Sequence, residues 1–398
     1  MAVAVAEPTA QEASLTAMRL MGTGRLRDAL EVLDAALRRF PADVSLWLNL
    51  AVAHRASGDL PAAMLALDGA LRADPRSFLA LLMRAHILET QGHKRQAAQA
   101  YGVALTQYSP TGHYDEPTRR AIARAQHLHA EYMSELEGSL RGSVAALGSP
   151  RGSAETRRID RMIDHLMGRR KVYTQQPTHF HLPGLPSIEF FEREEFPWLA
   201  RLEGATRDIQ RELAGMLDNP EPSSAVPYIQ YPDWAPLDQW KPLNNSPRWS
   251  AIHLLEKGIP VPANADRCPV TMSVLADMPQ PRVPNRSPVA MFSLLKPRTR
   301  IPPHHGVANT RLVVHLPLVV PPGCGFRVGS ETREWKVGQA WIFDDTIEHE
   351  AWNDSDELRV VLIFDIWHPH LSAVEREAYA RIMASMDAVT GEVANSGI

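Results

Sequence analysis

Gly24, Gly58 and Gly92 stand 34 residues apart, as do Ala29, Ala63 and Ala97, and again Ala36, Ala70 and Ala104. Pro41 and Pro75 keep the same period, and Pro110 follows within one residue. A fixed period of this length confines the chain to a stack of like units, because one unit alone cannot bury its apolar face. The residue types define the unit as a helix pair. Small side chains are needed where paired helices approach closely, glycine ends the first helix and proline punctuates the second. Residues 14–108 are therefore expected to form about three such pairs. Their surface either serves folding alone or offers a concave face to a peptide or protein.

The pattern resembles the tetratricopeptide repeat, whose period is the same. Proline marks where it ends. Of the 32 prolines, seven lie before residue 171 and 25 after it, and proline is excluded from helix interiors but tolerated in loop-rich β regions. The chain thus opens α-helical and closes β-rich, and 398 residues exceed one ordinary core. Between the two parts, residues 109–175 read as a helical linker region. EPTRRAIARAQHLHAEYMSEL and SAETRRIDRMIDHLM are amphipathic, and LRGSVAALGSPRGS between them reads as a Gly/Ser linker. The basic run Arg157, Arg158, Arg161, Arg169, Arg170 and Lys171 reads as a solvated face rather than an anion site.

Charge and cysteine content exclude several classes. Forty-two Lys+Arg against 46 Asp+Glu gives −4, without the basic excess of a nucleic-acid binder. Cys268 and Cys324 are too few for a disulfide scaffold or a cysteine-built zinc site. The first twenty residues lack a basic start, and no apolar run reaches the roughly 18 residues of a membrane span. The expectation is a soluble cytoplasmic protein.

The chemistry-bearing residues lie between 290 and 370. VAMFSLLK, TRLVVHLPLVV, GFRVG, REWKVG, AWIFD and LRVVLIFDIW are short strand-like segments separated by Pro/Gly turns, as in a barrel or double-sheet jelly roll. Pro302-Pro303-His304-His305-Gly306 reads as a stiff turn before a strand, and His349 lies between Glu348 and Glu350. Neutral imidazoles on adjoining strands suit Fe(II), Zn or Cu. His179 and His181 read as structural. Arg359 lies ten residues beyond His349, and a period-2 strand gives it one face with Val361, Ile363 and Asp365. A buried arginine must find an anion. That anion is either Asp365 or another protein carboxylate, or a dicarboxylate cosubstrate gripped by the planar fork. Arg311, Val313 and His315 share a face of the preceding long strand, and Ser293 offers a hydroxyl to the same carboxylate. A 2-His-1-carboxylate triad expects Asp or Glu two residues after the first histidine, where Gly306 stands. Either a carboxylate comes from Asp345, Glu348 or Glu350, or the metal has only two protein ligands.

FSLLKPRTRIPPHHGVANTRLVVHLPLVVPPGCGFRVG, followed by WIFDDTIEHEAWNDSDELRVVLIFDIWHP, closely resembles the aspartyl/asparaginyl β-hydroxylase family. LNNSPRWSAIHLLEKG and CPVTMSVLADMP resemble its N-terminal half, so the likeness covers roughly residues 180–370. The resemblance implies an α+β multidomain chain: tetratricopeptide-like repeats at 14–108, the helical linker at 109–175, and a double-stranded β-helix dioxygenase domain at 176–398. It implies Fe(II) held by His304 and His349 with glycine replacing the carboxylate. It implies 2-oxoglutarate held by Ser293, His315 and Arg359, with O2 as the second cosubstrate. Asp345 would anchor water near the metal and Arg311 would face the substrate. Where the family reads a second substrate-facing arginine this chain has Val313, so the substrate is expected to be less anionic.

The resulting expectation is an Fe(II)/2-oxoglutarate-dependent dioxygenase hydroxylating an amino-acid side chain, peptide or related small molecule, with release of succinate and CO2. The repeats would take a protein partner; nucleic acid and membrane spans are not expected. Two alternatives stand beside it: a repeat-containing adaptor with a relic β domain, and a Zn-dependent cupin-like enzyme.

Overall fold

The computed structural model describes residues 8–148, 153, 156–219, 225–232, 234–236 and 238–391. The chain divides between Arg169 and Arg170 into two units.

In the first unit three helix pairs follow one another: α1 (Ala10–Gly22) with α2 (Leu26–Arg39), α3 (Val44–Ala56) with α4 (Leu60–Ala73), and α5 (Phe78–Thr90) with α6 (Lys94–Leu105). Each first helix ends on a periodic glycine in the left-handed region, with φ of 78°, 84° and 81° at Gly24, Gly58 and Gly92. A β-carbon disfavours that conformation, so the period of the sequence is a period of backbone geometry. The six periodic alanines are all buried between helices. The stack begins at Ala10, ahead of the expected residue 14, because Thr9 and Glu12 form a reciprocal capping box.

The linker region departs from expectation. Helix α7 (Glu116–Ala145) runs on through LRGSVA instead of ending before it. Arg141 explains the extension, binding Glu137 on its own helix at 2.7 Å and Asp160 and Asp164 of α8 (Arg157–Leu166) at 3.2 and 2.9 Å. Residues 149–152 of the Gly/Ser segment, and 154–155 just beyond it, lie outside the described residues. The basic run is not a uniformly solvated face either. Arg169 pairs with Glu137 and Asp164, and Arg170 is largely buried against Glu189 within the second unit. Among the described residues no helix is long and apolar enough to cross a membrane.

The second unit is built on two antiparallel sheets. Its strands are β1 (Val226–Pro227), β2 (Trp249–Glu256), β3 (Ile259–Pro260), β4 (Ala290–Leu295), β5 (Thr299–His304), β6 (Arg311–Val319), β7 (Cys324–Val328), β8 (Glu331–Arg333), β9 (Trp341–Phe343), β10 (His349–Asn353) and β11 (Arg359–Trp367). The larger sheet has the order β1-β2-β4-β11-β6-β9, with β3 on β2, and the smaller has β5-β10-β7-β8. This is a double-sheet jelly roll, as the strand pattern predicts.

Strand alternation divides its core in two. Val360, Leu362, Phe364 and Ile366 of β11 pack with Phe292 and Leu316 against α9 (Leu199–Gly204), α10 (Thr206–Asp218) and α12 (Pro269–Ala276), which follows the short α11 (Pro262–Ala265). The opposite face, with Val361, Ile363, Met291 and Val313, meets Ile301, Phe326 and Ala351 of the smaller sheet. The chain ends on α13 (Ala373–Thr390), opened by a capping box between Ser372 and Glu375.

Two segments differ from the sequence reading. Pro302 and Pro303 lie inside β5, which pairs with β10 on one side only, and an edge strand tolerates residues that cannot donate. REWKVG contributes only Arg333 to a strand, because the pairing of β8 with β7 ends there.

Candidate functional site

His304 ends β5 and His349 opens β10, and the register places them directly opposite each other. Their ring centroids are 4.0 Å apart at 51°. A register shift in β10 follows His349 at once, a local irregularity that re-aims side chains at a strand end. Each histidine fixes its own tautomer. His304 Nδ1 lies 2.7 Å from the Pro302 carbonyl and His349 Nδ1 3.1 Å from that of Ile347. A carbonyl only accepts, so each Nδ1 carries the proton and each Nε2 keeps a lone pair. Burial lowers the His304 pKa to about 4 and holds His349 well below the usual range, where His304 itself adds to the effect. Two neutral imidazoles oriented by backbone carbonyls are a donor set that fits a borderline cation such as Fe(II) or Zn.

Among the described residues no group of three His, Cys, Asp or Glu side chains is arranged to hold a metal ion. Glu348 and Glu350, two of the carboxylates weighed above, both engage Arg327. Asp345 is close by but bound to a different purpose. Its backbone carbonyl accepts from Gly306 N at 2.6 Å, and its side chain fills the space a β-carbon at 306 would take. The carboxylate is buried, its Oδ1 has no hydrogen-bond partner, and its pKa is pushed up to about 7. Burial is the cause, with Asp344 and Asp365 adding to it and Arg311 opposing it.

Arg359 forms the opposite end of the same recess. It starts β11, points to the inner face with Val361 and Ile363, and is 1% exposed. Its Nη1 reaches the Ser293 carbonyl at 3.4 Å and Oγ at 3.3 Å, and its Nε has no partner. Among the described residues no carboxylate lies within ion-pair distance of it. Asp365, the protein partner weighed for it, instead accepts from Ser287 Oγ at 2.5 Å and Val289 N at 2.9 Å and stands 3.6 Å from Arg311. The guanidinium rests 4.8 Å from the centre of the Trp335 ring, and burial lowers its pKa to about 10.

Ser293 lies across from Val361 on β4, and its Oγ also accepts from Trp249 Nε1 at 3.1 Å. His315 lies across from Ile363 on β6, buried against Phe326 and Phe343 with Nδ1 unpartnered. Burial, and then the Arg359 charge, hold its pKa well below the usual range. One recess of about 50 Å3 is lined by His304, His349, Asp345, Ser293, His315 and Arg359 together. Arg311 does not line it; it is buried beside Asp365 at the far end of β6. His305 and His179 line the outer vestibule instead, so His179, read as structural, stands at the entrance.

Trp249 and Trp335 escaped the sequence reading. Both act through a partner from a distant segment, and only the aromatic content of WSAIHL and REWKVG hints at them.

Residues 203–369 match the family described as Aspartyl/Asparaginyl beta-hydroxylase, and residues 15–78 match Tetratricopeptide repeat. The Homo sapiens aspartate beta-hydroxylase domain-containing protein 2 is 32% identical over 215 residues, 53% of this chain and 55% of that protein. The Homo sapiens aspartyl/asparaginyl beta-hydroxylase is 36% identical over 138 residues, 34% of this chain and 18% of that protein. The Rhizobium tropici ornithine lipid ester-linked acyl 2-hydroxylase is 34% identical over 182 residues, 45% of this chain and 60% of that protein. The chain thus spans 60% or less of the length of each of these relatives.

Proposed function

Starting from a chain that carries an aspartyl/asparaginyl β-hydroxylase domain behind tetratricopeptide repeats, we propose an Fe(II)- and 2-oxoglutarate-dependent dioxygenase that hydroxylates an unactivated carbon. The observation that carries the reading is Arg359: a buried cation with no carboxylate within ion-pair distance among the described residues, in one recess with two neutral histidines. A desolvated charge without a counter-ion is costly, and a folded protein keeps one where a ligand supplies the anion. A five-carbon dicarboxylate fits this arrangement, one end at Arg359 and Ser293 and the other toward the histidines.

His304 and His349 would hold the metal, which supplies oxygen activation when bound. The protein's own share is orientation and exclusion. Trp335 holds the guanidinium plane, Trp249 holds the Ser293 hydroxyl oxygen, and the Pro302 and Ile347 carbonyls keep the imidazoles neutral and aimed. The apolar walls keep water from competing. The overall change is a substrate C–H, O2 and 2-oxoglutarate going to C–OH, succinate and CO2. The helical repeats would bind a protein partner.

The test measures 2-oxoglutarate binding by calorimetry in protein loaded with redox-inert Mn(II). Arg359→Lys keeps charge but loses the fork. Two charge-assisted hydrogen bonds predict roughly 100-fold weaker binding or more. Unchanged affinity would overturn the clamp. Arg359→Met should abolish binding while leaving ligand-free stability unchanged or higher, since it removes an uncompensated charge.

A further inference from the structure

Phe180 lines neither the recess nor the vestibule, yet its contacts lead to the metal pair on one side and to α13 on the other. Its backbone is fastened to the loop that follows His304. Thr178 N donates to the Gly306 carbonyl at 2.9 Å, Phe180 N donates to the Val307 carbonyl at 3.0 Å, and Phe180 bridges to Ala308 in parallel. Gly306 is the residue whose N–H donates to the Asp345 carbonyl and whose missing side chain makes room for that carboxylate. Segment 178–180 therefore bears on the loop two residues beyond His304.

The Phe180 ring is held in turn by two side chains from distant segments. The Arg286 guanidinium sits over it at 5.8 Å, and the Tyr379 ring of α13 meets it edge-on at 6.4 Å and 82°. Arg286, 2% exposed, is itself gripped by α13, with Nη1 and Nη2 donating to the two Asp387 oxygens at 2.7 and 2.5 Å. Tyr379 and Asp387 are eight residues apart and share one stripe of the helix, with buried Met383 midway between them. Val374, Ile382 and Val389 on the other side of α13 are exposed. A helix held along one stripe opens more readily than the core beneath it. Both ends of that stripe converge on Phe180, one directly and one through Arg286.

We propose that Phe180 is a positioning residue for the metal pair and that α13 is its strap. Docking of α13 through Tyr379 and the Arg286–Asp387 pair keeps segment 178–180 on the loop 306–308, and that loop keeps His304 aimed at the position it shares with His349. The proposal rests on the reading of His304 and His349 as metal ligands. Coupling between two such places is reciprocal: a metal on the histidines must tighten α13 by the same factor by which docked α13 tightens the metal. Lifting α13 would loosen the metal without touching a ligand.

The test uses the full-length protein and Mn(II) alone, with calorimetric affinity and hydrogen exchange of residues 373–390 as the two readouts. Tyr379→Ala should weaken Mn(II) binding by roughly tenfold, the lower end of what losing a residue that orients a ligand costs. Tyr379→Phe, which keeps the ring, should restore the affinity, and Asp387→Asn should act in the same direction as Tyr379→Ala. Phe180→Leu, which fills similar space without a ring, should weaken binding too, and it stands in if circular dichroism shows that Tyr379→Ala does not fold. Mn(II) should slow exchange across α13 in the unchanged protein but not in Tyr379→Ala at saturating metal. A metal that merely stabilises the whole fold would slow it in both, which would overturn the strap. So would an affinity that moves by less than about twofold in Tyr379→Ala and Asp387→Asn, too little for a coupling free energy. Each of these outcomes leaves the ligand assignment standing, whereas an unchanged protein that binds no Mn(II) would overturn both.

Discussion

Gly306 and Asp345 share one volume. A β-carbon built on Gly306 would overlap the Asp345 carboxylate, with even the farther oxygen at 2.6 Å, while Gly306 N donates to the Asp345 backbone carbonyl. The glycine two residues after His304 therefore admits a carboxylate from another loop into the space where a triad ligand would start. The absence of a carboxylate at 306 and the presence of one at 345 are a single arrangement.

Gly306→Asp restores the three-ligand motif in sequence but not in space. Forcing a side chain into filled volume costs about 1–3 kcal/mol. The expected outcome is a lower Tm without tighter metal binding, read by thermal melting and Mn(II) titration. Tighter binding at unchanged stability would show that Asp345 yields and that the two carboxylates are interchangeable.

The two imidazoles that face each other across β5 and β10 differ from their neighbour His305, which is not part of that pair. His304→Ala and His349→Ala should each abolish Fe(II)-dependent succinate formation and bring bound metal to background. His305→Ala should leave the metal content as it was. Metal analysis of the purified proteins checks this without any substrate, and full metal content in either paired variant would reject the ligand assignment.

How much of this was legible depends on whether a feature is local. The period-2 pattern of RVVLIFDIW puts Arg359, Val361, Ile363 and Asp365 on one face, and the sheet places Val361 and Ile363 in the inner core as read. Gly24, Gly58 and Gly92 announce the repeats because each imposes its own backbone geometry. Non-local choices were hidden. Whether Arg359 meets Asp365 depends on Asp365 already being taken by Ser287, Val289 and Arg311, and no spacing states that. Pro302 and Pro303 masked a strand because an edge position, which only the fold assigns, excuses them. Helix α7 continued past its glycines because Arg141 found Asp160 and Asp164 on another helix.

His368 provides a pH dependence away from the metal pair. It is buried beside Phe191 and His370, with Glu195 4.0 Å from His370. Burial, and then the His370 charge, lower its pKa to about 4. A histidine with a lowered folded pKa binds fewer protons folded than unfolded. Its neutral form is therefore fully compatible with the fold above the ordinary value of about 6.5, and stability is lost as pH falls from there toward about 4. Urea denaturation should show the native chain losing more stability than His368→Gln between about pH 7 and pH 5. Parallel pH profiles would mean that His368 accepts a proton without disturbing its surroundings.

The final prediction separates the two units. Every residue assigned to the metal or the cosubstrate lies between Trp249 and Arg359, inside the unit that begins at Arg170. That unit has its own two-sided core on the larger sheet. The helical unit has a separate core of small residues, from Ala13 to Ile87, that draws on none of those strands. Deleting residues 1–169 should therefore leave Mn(II)-dependent 2-oxoglutarate affinity within about twofold, since no clamp contact is removed. What should disappear is any association with a protein partner, because the stacked helix pairs supply the extended surface for it. Calorimetry on the truncated and full-length proteins, with co-purification from the source cell as the partner readout, makes the comparison. A truncated protein that folds, by circular dichroism, yet binds 2-oxoglutarate more than tenfold more weakly would show that the helical unit completes the site rather than serving it from outside.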